Sequence, residues 1–276
     1  MDFLEADWLG SLRRMVAEQR RLFAAKPTIA DRTVYEGVGE GGDNSLELDR
    51  RAEDVVFAEL ERMHSESGLG FTAISEERGE VTFGDGESEW RAVIDPVDGS
   101  MNLRRTIPAF ALSVAFARGP TMADVEFGFV HDFGPDEEFW AQTGAGAWLD
   151  GRRLDAKGPG YGLEVVGLES AQPSLIAPIV AGLDGKAFRI RSVGAIAISV
   201  ASVAAARFDG MLTARDCRSV DIAAAQLICR EAGARLEFPG IARGDAGLGL
   251  DARYGVVAAL DEEMLATLRG VLDEAA

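Results

Sequence analysis

The segment Asp95-Pro96-Val97-Asp98-Gly99-Ser100 follows a short apolar run, Trp90 to Ile94, that is typical of a buried strand. Pro96 keeps the residue before it extended, and Gly99 permits a sharp turn. Two carboxylates three residues apart can therefore converge on one cation, with the main-chain carbonyl of Val97 as a third oxygen ligand. Asp, Pro and Gly are also ordinary turn residues, so a simple turn is the alternative interpretation of this segment taken alone.

Two further segments place acids beside predicted secondary structure. Glu76 and Glu77 follow the strand-like run Gly70 to Ile74, although paired acids on a loop are usually solvated. Asp221 precedes the apolar run Ile222 to Ala225, where an acid commonly caps a helix or occupies its first turn. A carboxylate at a helix start is also held rigidly, as a metal ligand requires.

The hydrophobic pattern predicts a different architecture for each half of the chain. Apolar residues at helical spacing predict a first helix from Leu4 to Phe23 and a second from Leu48 to Met63. Strand-like runs follow at 90–94, 110–117, 125–130 and 139–143, and beyond Asp150-Gly151 strands alternate with helices. We therefore expect an α+β metal-binding half at residues 1–155 and an α/β substrate-binding half at residues 156–276, stacked in layers.

The composition limits the kinds of molecule to which the protein can bind. The formal net charge of −18, from 46 acids and 28 bases, disfavours nucleic acid and anionic membrane surfaces. The uncharged stretch 192–206 is too short for a membrane span and predicts a buried helix. Cys217 and Cys229 are too few for a disulfide scaffold, and the first residues lack the pattern of a signal peptide, so a cytoplasmic location is expected.

The predicted ligands are oxygen atoms. His64 and His131, the two histidines, are not at ligand spacing with each other, so the site favours Mg²⁺ or Mn²⁺ over Zn²⁺. Clustered carboxylates repel one another unless cations compensate them or their pKa values rise. The same cations would attract a phosphate and activate water. These residues therefore predict metal-assisted hydrolysis of a phosphate ester.

The motifs together resemble the inositol monophosphatase superfamily, which includes archaeal fructose-1,6-bisphosphatases, over most of the chain. The matching segments are Leu48 to Glu53, Glu76-Glu77, Asp95 to Ser100 with Asn102 and Ile107-Pro108, Arg191 to Gly194, and Asp221 to Gly233. The resemblance implies an αβαβα sandwich of the sugar-phosphatase type. It also implies dependence on Mg²⁺ and a homodimer.

Residue roles follow from the same resemblance. It implies that Glu76, Asp95 and the Val97 carbonyl bind one ion, that Asp95, Asp98 and Asp221 bind a second, and that Glu76 with Glu77 helps to hold a third. Asp49 and Ser100 are expected to orient the attacking water. The Gly99 and Ser100 amides are expected to receive the phosphate, and Gly194 and Ala195 to face the substrate hydroxyls.

Departures from the family pattern leave more than one candidate for the substrate. Ala214 stands where inositol monophosphatases carry an acid that contacts inositol hydroxyls, whereas Arg218, three residues before Asp221, resembles the bisphosphatase branch. Arg218 or Arg191 could bind a distal phosphate. Fructose 1,6-bisphosphate and an inositol monophosphate are both candidates. The segment 36–43 is expected to be a mobile loop over the metals.

Three other functions have weaker support in the sequence. Gly37 to Gly42 satisfies the G-x-G-x-x-G pattern, but no buried strand precedes it and Glu40 and Asp43 would oppose a pyrophosphate, which argues against a dinucleotide site. A phosphatase for 3′-phosphoadenosine nucleotides would need a base pocket that the sequence does not reveal. A protein that binds metals or sugar phosphates without turnover is the alternative outside the enzymes.

Overall fold

The computed structural model describes residues 3–38 and 44–275. The helices are α1 Trp8–Ala24, α2 Glu47–Ser67, α3 Ser100–Arg104, α4 Pro173–Leu183, α5 Ile196–Ala204, α6 Ser219–Glu231 and α7 Glu262–Ala275. The strands are β1 Tyr35–Val38, β2 Asn44–Leu46, β3 Phe71–Ser75, β4 Gly79–Phe83, β5 Trp90–Asp98, β6 Ala111–Arg118, β7 Val125–Asp132, β8 Glu137–Gln142, β9 Gly146–Leu149, β10 Arg152–Arg153, β11 Leu163–Glu169, β12 Ala187–Arg191, β13 Gly210–Thr213, β14 Cys217–Arg218, β15 Arg235–Glu237, β16 Arg253–Tyr254 and β17 Val257–Ala259. Short 3₁₀ turns lie at Phe3–Glu5, Ala30–Arg32 and Met122–Asp124.

The larger sheet has the strand order β10-β9-β8-β7-β6-β5-β3-β4. Its neighbours are antiparallel except β3 and β5, which are parallel and pair Ser75 with Ile94. The carboxyl ends of these two strands therefore lie at the same edge of the sheet. The acids that follow Ser75 and Ile94 in the chain are brought together by this pairing.

The smaller sheet has the order β12-β11-β13-β17-β15, in which β11 is parallel to both β12 and β13. A separate two-stranded antiparallel ribbon joins β14 to β16. The carboxyl end of β11 carries Glu169, a buried acid.

The helices separate and cover the two sheets. Helices α1 and α2 pack on one face of the larger sheet, where Leu12, Leu60 and Phe116 are fully buried. Helices α5 and α6 lie between the sheets, and α4 and α7 cover the outer face of the smaller sheet. This arrangement is an αβαβα sandwich, and it confirms the predicted fold class.

Helix α6 lies unusually close to the larger sheet. Its buried face is made of small residues, Ala223 to Ala225, and a Cβ added to Gly128 of β7 would come within 2.6 Å of the Ala224 carbonyl oxygen. Glycine on the strand and alanine on the helix permit this approach because neither projects a bulky side chain. The packing fixes the position of the first turn of α6, which carries Asp221.

Most predicted elements are confirmed, including the two N-terminal helices, the buried helix within 192–206 and the alternation of the second half. The sequence pattern missed β1, β2, β4, β9, β10, β14 and α3, which are short and depend on their neighbours. Residues 254–259 are divided between two sheets, because Tyr254 pairs with Cys217 whereas Val257–Ala259 joins the smaller sheet. The buried helix predicted within 192–206 begins at Ile196.

The predicted end of the fifth strand at Ile94 is wrong. Strand β5 continues to Asp98, because Asp95 pairs with Ser113 and Asp98 pairs with Ala111 of β6. The register shifts between the two pairs, as in a β-bulge, which bends a strand and redirects its side chains. The two acids therefore lie on a paired strand and not on a free turn.

The proposed boundary after residue 155 stays a prediction. The larger sheet is built from residues 71–153 and the smaller one from residues 163–259, yet α6 from the second half packs on the larger sheet. In the parts of the chain that the structure describes, no helix is both long enough and apolar enough to cross a bilayer.

A buried histidine lies between α1 and β7, away from the edge where the acids meet. His131 is 5% exposed, its Nε2 is 3.0 Å from Nη2 of Arg20 and 3.4 Å from Oδ1 of Asp136, and its ring contacts Phe133 edge-on. Burial and the neighbouring Arg20 guanidinium lower the pKa of His131 to about 4, and the more distant acids Glu138 and Asp150 only partly offset this.

We expect His131 to make folding weaker in acid. Its pKa is about 4 when folded and 6.5 when unfolded, so the unfolded chain binds more protons between these values and the free energy of unfolding falls as the pH is lowered from 6.5 to 4. Replacing His131→Gln should reduce this loss by up to about 3 kcal/mol. Urea unfolding of both proteins at several pH values tests this, and parallel pH curves would contradict it.

Candidate active site

A cavity of about 700 Å³ opens at the edge where β3 and β5 end. It is bounded by these strands and by the first turns of α2, α3, α5 and α6. The residues that line it are Asp49, Glu76, Glu77, Asp95, Pro96, Val97, Asp98, Gly99, Ser100, Ser170, Ile196, Arg215, Asp216, Cys217, Arg218, Asp221 and Arg253. The cavity therefore gathers predicted site residues from four separate parts of the chain.

Main-chain amides hold the acids of β5 and α6. Asp95 accepts a hydrogen bond from the Val97 amide at 2.9 Å, and Asp98 accepts two from the first turn of α5, from Ile196 at 3.1 Å and Ala197 at 2.7 Å. Asp221, in the first turn of α6 as predicted, accepts one from the Arg218 amide at 2.8 Å. Each carboxylate has a fixed orientation because its donor belongs to the backbone.

The cavity is rich in negative charge. Burial, followed by the charges of Asp98 and Asp221, raises the pKa of Asp95 well above its usual value, and burial and Asp221 do the same for Asp98. Burial raises the pKa of Asp221 to about 6. Burial, Glu77 and Glu76 raise the pKa of Asp49 to about 7. These shifts have the direction expected for buried acids that repel one another, and at Asp221 the Arg218 and Arg253 guanidinium groups partly offset the rise.

The acids are not arranged as a ready-made ligand set. Among residues 3–38 and 44–275, no three acidic, histidine or cysteine side chains already surround one point at which a metal ion could be held. Glu76 forms an ion pair with the Arg218 guanidinium, and the acids of β5 and α6 are directed toward amides. The ligand roles stay predictions, and they require at least Glu76 to turn from Arg218.

Gly99 sits where the chain turns from β5 into α3. Its φ is +88°, and an added Cβ would lie 2.9 Å from the Ala109 carbonyl oxygen and 3.1 Å from the Ala195 Cβ. A side chain is therefore excluded by both conformation and space. Gly194 and Ala195 pack behind Gly99 and are not among the lining residues, whereas Ser100 is.

Some predicted residues lie outside the cavity or outside the described chain. Arg191 is exposed on β12, and its Nη1 donates to its neighbour's carbonyl, Ile190 O, at 2.9 Å. In the segment 36–43, residues 36–38 belong to β1 and residues 39–43 lie outside the part that the structure describes. Two arginines that the sequence did not single out, Arg215 and Arg253, do line the cavity.

A sequence model of the inositol monophosphatase family matches residues 17–273, nearly the whole chain. The chain belongs to the inositol monophosphatase family. A fructose-1,6-bisphosphatase/inositol-1-monophosphatase of Thermococcus kodakarensis is 31% identical over 233 residues, which cover 84% of each protein. An inositol-1-monophosphatase of Mesorhizobium japonicum is 34% identical over 202 residues, which cover 70% of this chain and 71% of the relative.

A solved structure shares the fold. The crystal structure of an inositol monophosphatase–fructose 1,6-bisphosphatase superposes with a TM-score of 0.81 at 26% identity, and the match covers 96% of this chain and 99% of the other. The family consists of metal-dependent phosphatases. The resemblance inferred from the motifs is therefore confirmed.

The donor set suits a divalent cation of the kind that this family uses. All the acidic groups that line the cavity are hard oxygen donors, which prefer Mg²⁺ or Mn²⁺. Within the described residues, the buried Oδ1 of Asp49 has no hydrogen-bond partner, so the cavity also contains an unsatisfied acceptor. A bound cation would relieve the repulsion that raises the pKa values of these acids.

Glu169 is a buried acid of this family member that the sequence interpretation missed. It is 1% exposed and accepts hydrogen bonds from the amides of Val193 and Gly194, both at 2.9 Å, and from the Ser199 hydroxyl at 2.6 Å. These bonds fix the turn that leads into α5, whose amides bind Asp98. Glu169 follows an apolar strand, the same signal that identified Glu76, and could have been found that way.

Two buried side-chain amides also hold the elements around the site in place. Asn102 Nδ2 donates to the carbonyls of Ala109 at 2.7 Å and Val193 at 2.8 Å, which ties α3 to the turn before α5. Gln19 Nε2 donates to the carbonyls of Pro96 at 3.1 Å and Ala52 at 3.2 Å. Gln19 lies on the apolar stripe of α1. Its position in the sequence therefore predicted that it packs in the core, and did not predict its hydrogen bonds to these carbonyls.

We expect Glu169→Gln to loosen the turn before α5. The amide group of glutamine has one acceptor atom, so either Val193 or Gly194 loses its partner, at a cost of about 1–3 kcal/mol in the free energy of unfolding. Hydrogen exchange should quicken at the Ile196 and Ala197 amides. Ser199→Ala is the matched control, because it removes one side-chain hydrogen bond to Glu169 and leaves both amides paired. Equal exchange in the two variants would contradict the assignment.

Proposed function

We propose that this protein is a metal-dependent phosphatase that hydrolyses a phosphomonoester of a small sugar or polyol. The observation that carries the proposal is the cavity in which Glu76, Asp95, Asp98 and Asp221 meet from three separate parts of the chain. Membership of a phosphatase family and relatives named as inositol-1-monophosphatase and fructose-1,6-bisphosphatase support it.

We assign the carboxylates to divalent cations, Mg²⁺ or Mn²⁺. Glu76, Asp95 and the Val97 carbonyl would hold one ion, Asp95, Asp98 and Asp221 a second, and Glu76 with Glu77 a third. When bound, the ions would neutralise the phosphate charge and lower the pKa of water. The deep burial of the aspartates and their backbone hydrogen bonds support this assignment, because a ligand held in one orientation loses little entropy on binding.

Asp49 and Ser100 would orient the attacking water. Both line the cavity, and Oδ1 of Asp49 is an acceptor that no described residue occupies. The hydroxyl of Ser100 would form a hydrogen bond with the same water molecule.

The substrate phosphate would be received by the amides of Gly99 and Ser100 at the turn into α3, where no side chain obstructs the backbone. Gly194 and Ala195 would shape the region that faces the hydroxyl groups. Arg218 would contribute a charge to a distal phosphate, and the solvent position of Arg191 gives it less support for that role. Fructose 1,6-bisphosphate and an inositol monophosphate are the candidate substrates.

The alternatives have less support. No aromatic side chain occurs among the described residues that line the cavity, which disfavours stacking of the adenine in a 3′-phosphoadenosine nucleotide. A protein that binds without turnover would have no need of Asp49 beside the acids. A homodimer and a cytoplasmic location stay predictions from the family resemblance and from composition, as does the division into a metal-binding half and a substrate-binding half.

We predict that Asp95→Asn and Asp98→Asn each lower phosphate release by at least about 100-fold at saturating Mg²⁺, because each loses a charged ligand. Asp95→Asn should also raise the free energy of unfolding of the metal-free protein, since it removes a buried charge from a repelling group and keeps an acceptor for the Val97 amide. Malachite-green assays on a panel of sugar and polyol phosphates, and urea unfolding with EDTA, measure the two effects.

Asp132→Asn is the matched control. Asp132 is another buried aspartate of the larger sheet, 6% exposed, whose pKa is raised by burial to about 6, but it is not among the residues that line the cavity. We expect this variant to keep its turnover. Full activity of the Asp95 or Asp98 variants with Mg²⁺, or activity of the parent protein that survives EDTA, would refute the metal assignment.

A further inference from the structure

Two of the predicted metal ligands, Glu76 and Glu77, lie at the tip of the hairpin formed by β3 and β4. Residues 76–78 connect the two strands, and Ser75 pairs with Gly79 across the connection. The φ of Gly79 is +71°, the left-handed conformation that commonly ends a connection of this length. Strand β4 is the outermost strand of the larger sheet, so only β3 joins this hairpin to the other strands. The tip therefore needs support from outside the sheet.

Glu53 of α2 supplies this support at both ends of the connection. Its side chain is fully buried, and its Oε1 accepts a hydrogen bond from the Ser75 hydroxyl at 2.5 Å and another from the Arg78 amide at 3.3 Å. Ser75 precedes the two acids of the tip, and Arg78 follows them. One carboxylate oxygen therefore holds the backbone on either side of both acids.

The other oxygen of Glu53 attracts the side chain of Arg78. Oε2 is buried and has no hydrogen-bond partner among the described residues, but it lies 3.4 Å from Nε of Arg78. The Arg78 guanidinium also pairs with Asp54 and lies 4.5 Å from the ring centre of Phe57, both on α2. Burial raises the pKa of Glu53, and the contacts with Ser75 and Arg78 oppose this rise. The carboxylate thus depends on the hairpin, and the hairpin depends on the carboxylate.

These contacts leave the carboxylates of Glu76 and Glu77 out. Glu76 pairs with Arg218 in this structure, and its proposed role as a ligand requires it to leave this partner. The tip must then be held by groups other than Glu76 itself. Ligating carboxylates bind a cation more tightly when neighbouring hydrogen bonds already hold them in place, because less order has to be imposed on binding.

We propose that Glu53 is a positioning residue for the cation site, which holds residues 76–78 so that Glu76 and Glu77 face the cavity before a cation binds. The inference rests on the proposed metal-dependent function. It adds a residue that is not among those that line the cavity. Asp49 lies one turn before Glu53 on the same face of α2, so this helix also sets Asp49 and the hairpin tip relative to each other.

Calorimetric titration of the protein with Mn²⁺ alone tests this role apart from catalysis. Glu53→Gln keeps the size of the side chain but has one acceptor and no charge for Arg78. We expect its Kd for Mn²⁺ to rise by about 10–100-fold. In the metal-free protein, hydrogen exchange at the Arg78 amide should quicken. Ser75→Ala removes one of the two hydrogen bonds to Glu53 and should show smaller changes in the same direction.

Phosphate release separates positioning from general damage. The substrate is whichever of fructose 1,6-bisphosphate and inositol 1-phosphate the parent hydrolyses faster. In Glu53→Gln, the Mg²⁺ concentration that gives half-maximal release should rise by about 10–100-fold, while KM for the sugar or polyol phosphate at saturating Mg²⁺ changes by less than about 2-fold. A variant that had merely lost structure would not separate these two quantities.

Glu59→Gln is the matched control. Glu59 is another glutamate of α2, its side chain is 12% exposed and pairs with Arg14 and Arg62, and it is not among the residues that line the cavity. This variant should bind Mn²⁺ as the parent does and should require no more Mg²⁺ for phosphate release. Thermal unfolding of the metal-free proteins checks that each variant folds.

Unchanged Mn²⁺ affinity in Glu53→Gln would overturn the assignment. An equal loss in Glu59→Gln would do the same, because it would mean that α2 is destabilised as a whole. If Glu53→Gln does not fold, Ser75→Ala decides by the same titration. A parent protein that binds Mn²⁺ but releases no phosphate would refute the phosphatase function alone, and the Mn²⁺ titrations would still decide the role of Glu53. A parent that binds no Mn²⁺ would refute the positioning role together with the metal assignment.

Discussion

Repulsion among the buried carboxylates of Asp95, Asp98 and Asp221 is the constraint on which the rest of the site depends. Each group would gain free energy by moving toward water or by taking up a proton, as their raised pKa values indicate. Main-chain amides oppose both tendencies, because they donate to the charged form and hold it in one orientation. The fold therefore stabilises a concentration of negative charge that only cations can fully compensate.

The layered architecture supplies these amides from separate parts of the chain. Asp98 on the larger sheet depends on the start of α5, and the start of α5 depends in turn on Glu169 at the end of a strand of the smaller sheet. Asp221 depends on the close approach of α6 to Gly128. Neither sheet could form the site without the other. The cavity therefore contains residues from both sides of the boundary predicted after residue 155.

Site residues could be predicted from the sequence where they stand next to a recognisable strand or helix. Asp95, Asp98 and Asp221 stand beside apolar runs that end in turns or begin helices, so their convergence could be inferred with the help of the family resemblance. The bulge in β5 could not be inferred, because it arises from pairing with Ser113 and Ala111.

The position of Arg253 in the cavity could not be inferred from the sequence either. Its place in the cavity depends on the pairing of two-residue strands that are far apart in the chain, and such short strands leave no periodic pattern. Arg191 shows the converse case, because its motif resembles the family pattern while its side chain is exposed on β12. Motif position predicts where the backbone passes, and the contacts of neighbouring elements decide where a side chain points.

Because the net charge of the protein is negative, the attraction of a phosphorylated substrate must come from groups close to its binding site. A phosphorylated sugar approaching a surface of charge −18 meets repulsion that salt screens beyond roughly 8–10 Å, so long-range attraction cannot select it. Attraction must arise within the cavity, where burial weakens screening. Cations held by the acids can provide it for the reacting phosphate, but they recognise one phosphate group of any ester equally. Discrimination between esters must then come from the remaining wall of the cavity, which carries Arg215, Arg218 and Arg253.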